Sequence, residues 1–276
     1  MPVARRPAVA AQCGMSSPAA FPSDAAELPG GGRMPLLGFG TWQIKGADVA
    51  PAVQAAIRAG YRHFDTATMY GNEAELGSAL GSSGIDRSEL FVTTKLPGND
   101  AADPQRTLAD SLRNLQTSYV DLWLIHWPTG DDVKLWQAFA DARDGGLARD
   151  IGVSNFSLAQ IDELSTMGTT PAVNQIRWSP LLFDRHVLEG HRERGVVLEG
   201  YSALRGGTLE HPVIGEIAGR VGRTAAQVIL RWHLQHAVVA IPKSQDSQRI
   251  ASNAEIADFE LSQTDMAQFD ALGAGS

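Results

Sequence analysis

The chain has 276 residues, 43% hydrophobic and 20% charged, with a formal net charge of −8. That is the composition of a globular protein long enough to bury one large core. Its acidity excludes a general attraction to nucleic acid or anionic membrane, so any anion must be held by local charges.

Residues 1–24 are rich in Ala, Pro and Ser, show no sustained periodicity and read as a disordered arm. Prolines and Gln12 interrupt the apolar stretch that a secretory signal would need. The single cysteine, Cys13, excludes an intrachain disulfide framework, and no apolar run approaches the roughly 20 residues of a membrane span; both fit a reducing cytoplasm. Residues 25–276 read as one domain, opened by a hairpin that turns at Gly30-Gly31-Gly32. Short apolar segments then alternate with amphipathic ones. The segments 36–40, 61–65, 90–95, 120–126, 150–154, 172–176, 196–201 and 238–242 read as strands. Helical patterns lie between them, among them 48–59, 104–116, 132–144, 158–165 and 224–235, several opened by a Ser, Thr or Asp cap. One more helix, 262–272, follows at the end. Eight strand and helix units imply an α/β fold, a (β/α)8 TIM barrel with an N-terminal hairpin and an extra C-terminal helix. The competitor is an open doubly wound sheet, whose first strand feeds a turn with three glycines; Leu37-Gly38-Phe39-Gly40-Thr41-Trp42 carries two of them.

Asp65, Lys95 and His126 end three successive strands, with Tyr70 in the loop after the first. On neighbouring parallel strands these groups meet on one rim. A free phenol, with a pKa of about 10, is a poor proton donor or acceptor near neutrality. Lys95 beside Tyr70 would favour the phenolate and lower that pKa, Asp65 would hold Lys95 charged, and His126 could donate to a substrate oxygen. Ser154, Asn155 and Gln175 offer hydroxyl and amide groups that match a nicotinamide carboxamide. Tyr201 offers a ring for stacking. Lys243, Ser244 and Arg249 at a helix start make a phosphate site.

Each residue also has a plainer role open to it. Lys243 and Arg249 could form surface ion pairs with Asp246 or Glu255, which contribute little. A histidine such as His126 is more often satisfied by backbone. His63 has no tie to chemistry and reads as structural, and Trp123, Trp136, Trp178 and Trp232 read as core. His233 and His236 stand three apart without a third partner, so no metal is expected.

The runs Leu36-Leu37-Gly38-Phe39-Gly40-Thr41-Trp42, Asp65-Thr66-Ala67-Thr68-Met69-Tyr70-Gly71-Asn72-Glu73, Leu124-Ile125-His126-Trp127-Pro128, Ile151-Gly152-Val153-Ser154-Asn155-Phe156 and Ile241-Pro242-Lys243-Ser244 resemble the aldo-keto reductase superfamily. In style the chain is closest to bacterial members similar to 2,5-diketo-D-gluconate reductases. The resemblance implies NADPH-dependent reduction of an aldehyde or ketone to an alcohol by a cytoplasmic monomer, with no metal, nucleic acid or membrane involved. It makes Tyr70 the general acid, tuned by Lys95 and Asp65, with His126 positioning the carbonyl. It assigns Ser154, Asn155 and Gln175 to the carboxamide, Tyr201 to stacking, and Ser202 and Leu204 to the pyrophosphate. Thr41 and Asp65 fall near the ribose, Lys243, Ser244 and Arg249 at the 2′-phosphate, and Asn253 at the adenine. Trp42, Met69 and Trp127 are the expected walls of the substrate pocket.

The chain departs from the family at Leu96-Pro97, where many members carry a tryptophan, and at Ser252, where many carry an acid. The segment after His126 is short and the tail ends early, so an open, shallow pocket is expected. Two other function classes stand beside the reductase: an NADPH-binding regulatory module with vestigial activity, and a phosphosugar isomerase or aldolase using Lys95 as a Schiff-base amine.

Overall fold

The computed structural model describes residues 21–273. Most of the expected 1–24 arm, with Cys13, lies outside the described residues. The Phe21 ring packs edge-on against Tyr61 at 5.1 Å, and the Asp24 carbonyl accepts from Leu36 N at 3.0 Å. Strands β1 (Ala25–Glu27) and β2 (Arg33–Pro35) form the antiparallel hairpin, with Glu27 opposite Arg33. Its turn is closed by Leu28 N donating to Gly32 O at 2.8 Å, with Gly31 at φ +81°, a conformation that glycine adopts without penalty. Gly30 N donates to Asp150 Oδ1 at 2.7 Å, which ties the hairpin to a strand of the barrel.

The barrel strands are β3 (Phe39–Gly40), β4 (His63–Asp65), β5 (Phe91–Leu96), β6 (Val120–Ile125), β7 (Ala148–Ser154), β8 (Val173–Arg177), β9 (Val197–Tyr201) and β10 (Val239–Ala240). They pair in parallel in sequence order from β3 to β10. A bridge between Leu37 and Ala240 closes the sheet on itself, with Gly38 N donating to Ala240 O and Ala240 N to Leu36 O, both at 2.8 Å. The architecture is therefore a (β/α)8 barrel and not the open sheet. The closing strands are shorter than expected. Pro242 has no N–H to give the ladder, so only its carbonyl pairs there, accepting from Gly40 N at 3.1 Å.

Helices α1 (Val49–Arg58), α2 (Glu73–Gly81), α3 (Pro104–Asn114), α4 (Asp132–Asp144), α5 (Leu158–Ser165) and α6 (Arg185–Glu193) each follow a strand. After β9 come α7 (Pro212–Val221) and α8 (Ala225–Gln235), and after β10 come α9 (Ser247–Ala254) and α10 (Gln263–Asp270). The capping boxes Ser157/Gln160, Thr224/Gln227 and Ser262/Asp265 start α5, α8 and α10, and Asp184 and Asp246 cap α6 and α9. The apolar strands are buried by helices outside and side chains inside; Val120 to Ile125 are buried throughout. The four tryptophans expected in the core are buried, and Trp123 stacks on Phe139 with ring centroids 3.7 Å apart. Among the described residues no helix is long and apolar enough to cross a membrane.

Candidate active site

The loop between β4 and α2 is built around Asn72. Its Nδ2 donates to the carbonyls of Thr41 and Ile44 at 3.0 and 2.9 Å, and its Oδ1 accepts from Thr66 Oγ1 at 2.7 Å. Thr68 Oγ1 donates to Lys95 O at 3.0 Å, and buried Glu73 accepts from Thr94 Oγ1 at 2.6 Å and Ser111 Oγ at 3.2 Å. These bonds tie the loop to β3, β5 and α3 and set Tyr70, in a 3-10 turn, above the rim.

Below Tyr70 lies Lys95, with no exposed surface. Its Nζ donates to Asp65 Oδ1 and Oδ2, each at 2.7 Å, and to Thr66 O at 2.8 Å. Burial alone would depress the ammonium, but the Asp65 carboxylate, through its charge and its hydrogen bonds, opposes it, and Lys95 is held above its usual range. Nζ stands 5.1 Å from the Tyr70 ring centroid, and the His126 ring meets the same phenol edge-on at 5.9 Å.

The phenol departs from the expectation. Lys95 does act to lower the Tyr70 pKa, but burial acts more strongly, joined by Asp65 and Glu199, and the net shift is upward. Tyr70 is thus fully protonated near neutrality, the form that can give a proton. His126 is pushed down to about 3 by burial and by Lys95, so its imidazole is neutral. Among the described residues its Nδ1 is buried without a partner. Placing the hydrogen on Nε2 leaves Nδ1 a bare lone pair and makes Nε2 the donor.

A cavity of about 520 Å³ opens at the carboxyl ends of the strands, a size that suits a small ligand. It is lined by Asp65, Tyr70 and His126, with Trp42, Met69 and Trp127 exposed at its mouth. Leu96 and Pro97 are not among its walls. Further round the rim, Ser154, Asn155, Gln175 and Tyr201 form a connected set. Ser154 Oγ donates to Gln175 O at 2.8 Å, Asn155 Nδ2 to Ser154 Oγ at 2.9 Å and His126 O at 3.2 Å, and Tyr201 OH to Asn155 Oδ1 at 2.9 Å. Asn155 and Ser202, each just past a strand end, have φ of +65° and +58°, a region that non-glycine residues enter at a cost and that recurs at functional rims.

Ser202, Leu204 and Lys243 also line the cavity. Thr41 lies behind the wall, its hydroxyl donating to Asp65 O at 2.9 Å. Ser244, just before α9, and Asn253, on α9, are buried, and Arg249 Nε reaches Ser244 Oγ at 3.5 Å. Among the described residues neither Lys243 nor Arg249 pairs with an acid. Asp246, the partner weighed for them, accepts from Gln248 N and Arg249 N and caps α9. Lys243 is held below its usual range by burial and by Arg205 and Arg249.

Three residues absent from the sequence reading belong to this site. Arg205 lines the cavity with its guanidinium 4.8 Å from the Trp42 ring centroid and Nη2 3.3 Å from Gln43 Oε1. Arg177 lines the cavity beside it. Glu199 lies beneath Gln175, fully buried. Glu199 shares the alternation of Tyr201 on β9, so an acid within the apolar run Val196-Val197-Leu198 was the available signal.

Titratable groups converging at the carboxyl ends of a closed parallel barrel define a barrel enzyme. The model of the aldo/keto reductase family matches residues 36–274. An aldo-keto reductase of Mycobacterium sp. (strain KMS) is 44% identical over 257 residues, 90% of this chain and 93% of that protein. A glyoxal reductase of Bacillus subtilis (strain 168) is 42% identical over 256 residues, 90% and 92% of the two chains. The crystal structure of an aldo/keto reductase from Brucella melitensis superposes with a TM-score of 0.87 at 40% identity, covering 90% of this chain and 99% of that one. The chain belongs to the aldo/keto reductase family. It is an oxidoreductase that acts on carbonyl and CH–OH groups.

Proposed function

We propose that the protein is an NADPH-dependent reductase of small aldehydes and dicarbonyls, with Tyr70 as general acid. The carrying observation is a protonated phenol on the cavity wall above an ammonium that is itself clamped by a buried carboxylate. When bound, NADPH supplies a hydride from its nicotinamide. Tyr70 gives its proton to the carbonyl oxygen as that atom gains charge, and Lys95 stabilises the phenolate left behind. Asp65 keeps Lys95 charged, and neutral His126 donates from Nε2 to the same carbonyl oxygen and orients it.

The chain's residues suit the cofactor. Lys243 and Arg249, without acid partners among the described residues and with Arg205 beside them, offer an anion site for the 2′-phosphate that Ser244 completes. Ser154, Asn155 and Gln175 would hold the carboxamide, Tyr201 the nicotinamide face, Ser202 and Leu204 the pyrophosphate, Thr41 and Asp65 the ribose side, and Asn253 the adenine. The substrate class follows from the exposed Trp42, Met69 and Trp127 at the mouth and from a relative named as a glyoxal reductase.

Lys95 argues against the Schiff-base reading. Its nitrogen has all three hydrogens engaged, no exposed surface and a raised pKa, the reverse of a nucleophilic amine. The test is loss of NADPH absorbance with glyoxal, methylglyoxal, small aldehydes and keto sugars. Turnover with some of them is expected. NADPH binding with no turnover on any would overturn the reductase and leave a sensor. Changing Lys243 and Arg249 to neutral residues is expected to erase a preference for NADPH over NADH.

A further inference from the structure

Glu199 sits mid-strand in β9, with Gln175 of β8 and Val239 of β10 as its register partners. Its side chain has no exposed surface. Gln175 Nε2 donates one hydrogen to Glu199 Oε2 at 2.9 Å and the other to Asp65 Oδ2 at 2.8 Å. Among the described residues Gln175 Oε1 makes no hydrogen bond, and the residue lines the cavity. Among the described residues Glu199 Oε1 is buried without a hydrogen-bond partner, and His63 Nε2 is 3.7 Å from it.

An amide whose two hydrogens are both held by buried carboxyl oxygens has only its carbonyl to present elsewhere. Flipping it would set an oxygen against two acceptors. Asp65 alone would fix the direction of Nε2 but leave the amide free to pivot about that one bond. Glu199 supplies the second point. We propose that Glu199 is a positioning residue for the cofactor: with Asp65 it holds both hydrogens of the Gln175 amide and so presents the Gln175 carbonyl as a fixed acceptor for the carboxamide of a bound nicotinamide. This deepens the reductase reading and rests on it.

The surrounding charges fit this role. Facing Glu199 are His63 and Asp65 on β4, Lys95 on β5 and Tyr70 above them, while Val239 on β10 is apolar. Burial and Asp65 push the Glu199 carboxyl up to about 8, with Gln175 and Lys95 acting the other way. The group is therefore a neutral acid at pH 7. His63 lies with Nδ1 3.2 Å from Pro35 O, which puts its hydrogen there and leaves Nε2 a lone pair that the Thr93 hydroxyl meets at 3.4 Å. A neutral Glu199 adds no charge beside the Lys95–Asp65 ion pair.

The test compares Glu199→Leu and Glu199→Gln by direct binding of two probes, NADPH and 2′-phospho-ADP-ribose, which shares every part of NADPH except the nicotinamide. Glu199→Gln keeps an acceptor for Gln175; Glu199→Leu does not. Glu199→Leu is expected to weaken NADPH by about tenfold, the effect of one well-made hydrogen bond, and to leave 2′-phospho-ADP-ribose unchanged. Glu199→Gln is expected to bind both probes as the unaltered protein does. Glu199→Met, close in volume and more adaptable, serves as a second apolar variant against a folding defect. Equal weakening of both probes in the apolar variants, or full NADPH affinity in them, would overturn the proposal. So would a Glu199→Gln variant as weak as the apolar ones. Unaltered protein that binds 2′-phospho-ADP-ribose no less tightly than NADPH would refute the carboxamide contact, and turnover would still judge the reductase reading separately.

Discussion

Lys95 is the residue on which the site's electrostatics turn, because a fully buried ammonium persists only while its carboxylate does. Removing one member of such a pair strands the other. Asp65→Asn is therefore expected to lower stability by about 3–5 kcal/mol, read as a fall in the urea midpoint. His126 behaves differently, because its imidazole is neutral down to about pH 3. It should contribute no inflection to kcat/KM between pH 5 and 8. In His126→Gln, a neutral donor, the rate should fall while the shape of the profile stays; a lost inflection near 6.5 in the variant would show that the histidine titrates in the working range. The residues at strand ends were legible in the sequence because a polar group closing an apolar run is conspicuous. The sign of the Tyr70 shift was not, because it depends on how deeply the loop buries the phenol, and spacing does not encode depth. Glu199 was hidden for a related reason: only the register of β8 against β9 reveals that its partner is Gln175.

At the scale of elements, β7 carries Ser154 and meets β8 at Val153 and Ser154. Gly152 permits this approach, since a Cβ there would lie 2.5 Å from Val173 O and 2.8 Å from Leu124 Cδ2. Gly152→Ala is expected to destabilise the protein by roughly 1–3 kcal/mol through overpacking. It should also reduce NADPH affinity by displacing Ser154 and Asn155, measured by fluorescence titration. Helices α4 and α5 match their expected limits, and Ser157, Thr224 and Ser262 cap α5, α8 and α10. By contrast α6 was not singled out, because Val187 and Leu188 are the only large apolar residues in its nine. What holds it is tertiary, with Leu188 and His191 buried against the barrel.

For the whole molecule, the buried titratable groups predict a stability profile. His63 and His233 are pushed down to about 4 and His126 to about 3, all three by burial first. The folded state then binds fewer protons than the unfolded chain below pH 6.5, and stability falls as pH drops through that range. Glu199 has the opposite sign. Its folded pKa is raised from 4.5 to about 8, so its contribution is present at low pH and lost as pH rises toward 8. Above 6.5 the histidines no longer contribute a slope and the Glu199 loss remains. Thermal melts should therefore peak near pH 6.5 and decline toward 8, and Glu199→Gln should flatten the decline. A variant with the same slope as the unaltered protein would locate the titration elsewhere. The barrel itself was legible from the count of eight strand and helix units. Its closure was less so, because Leu37 and Ala240 meet through a single bridge between short strands.

Proton donation by Tyr70 is the step on which the proposed NADPH-driven reduction depends. The measurement that tests it most directly is consumption of NADPH with methylglyoxal by the unaltered protein and by Tyr70→Phe, with NADPH binding titrated in both. Turnover is expected to fall by about 10²–10⁴ in the variant while NADPH affinity is kept. Turnover unchanged in Tyr70→Phe would contradict it, since the proton would then come from another group.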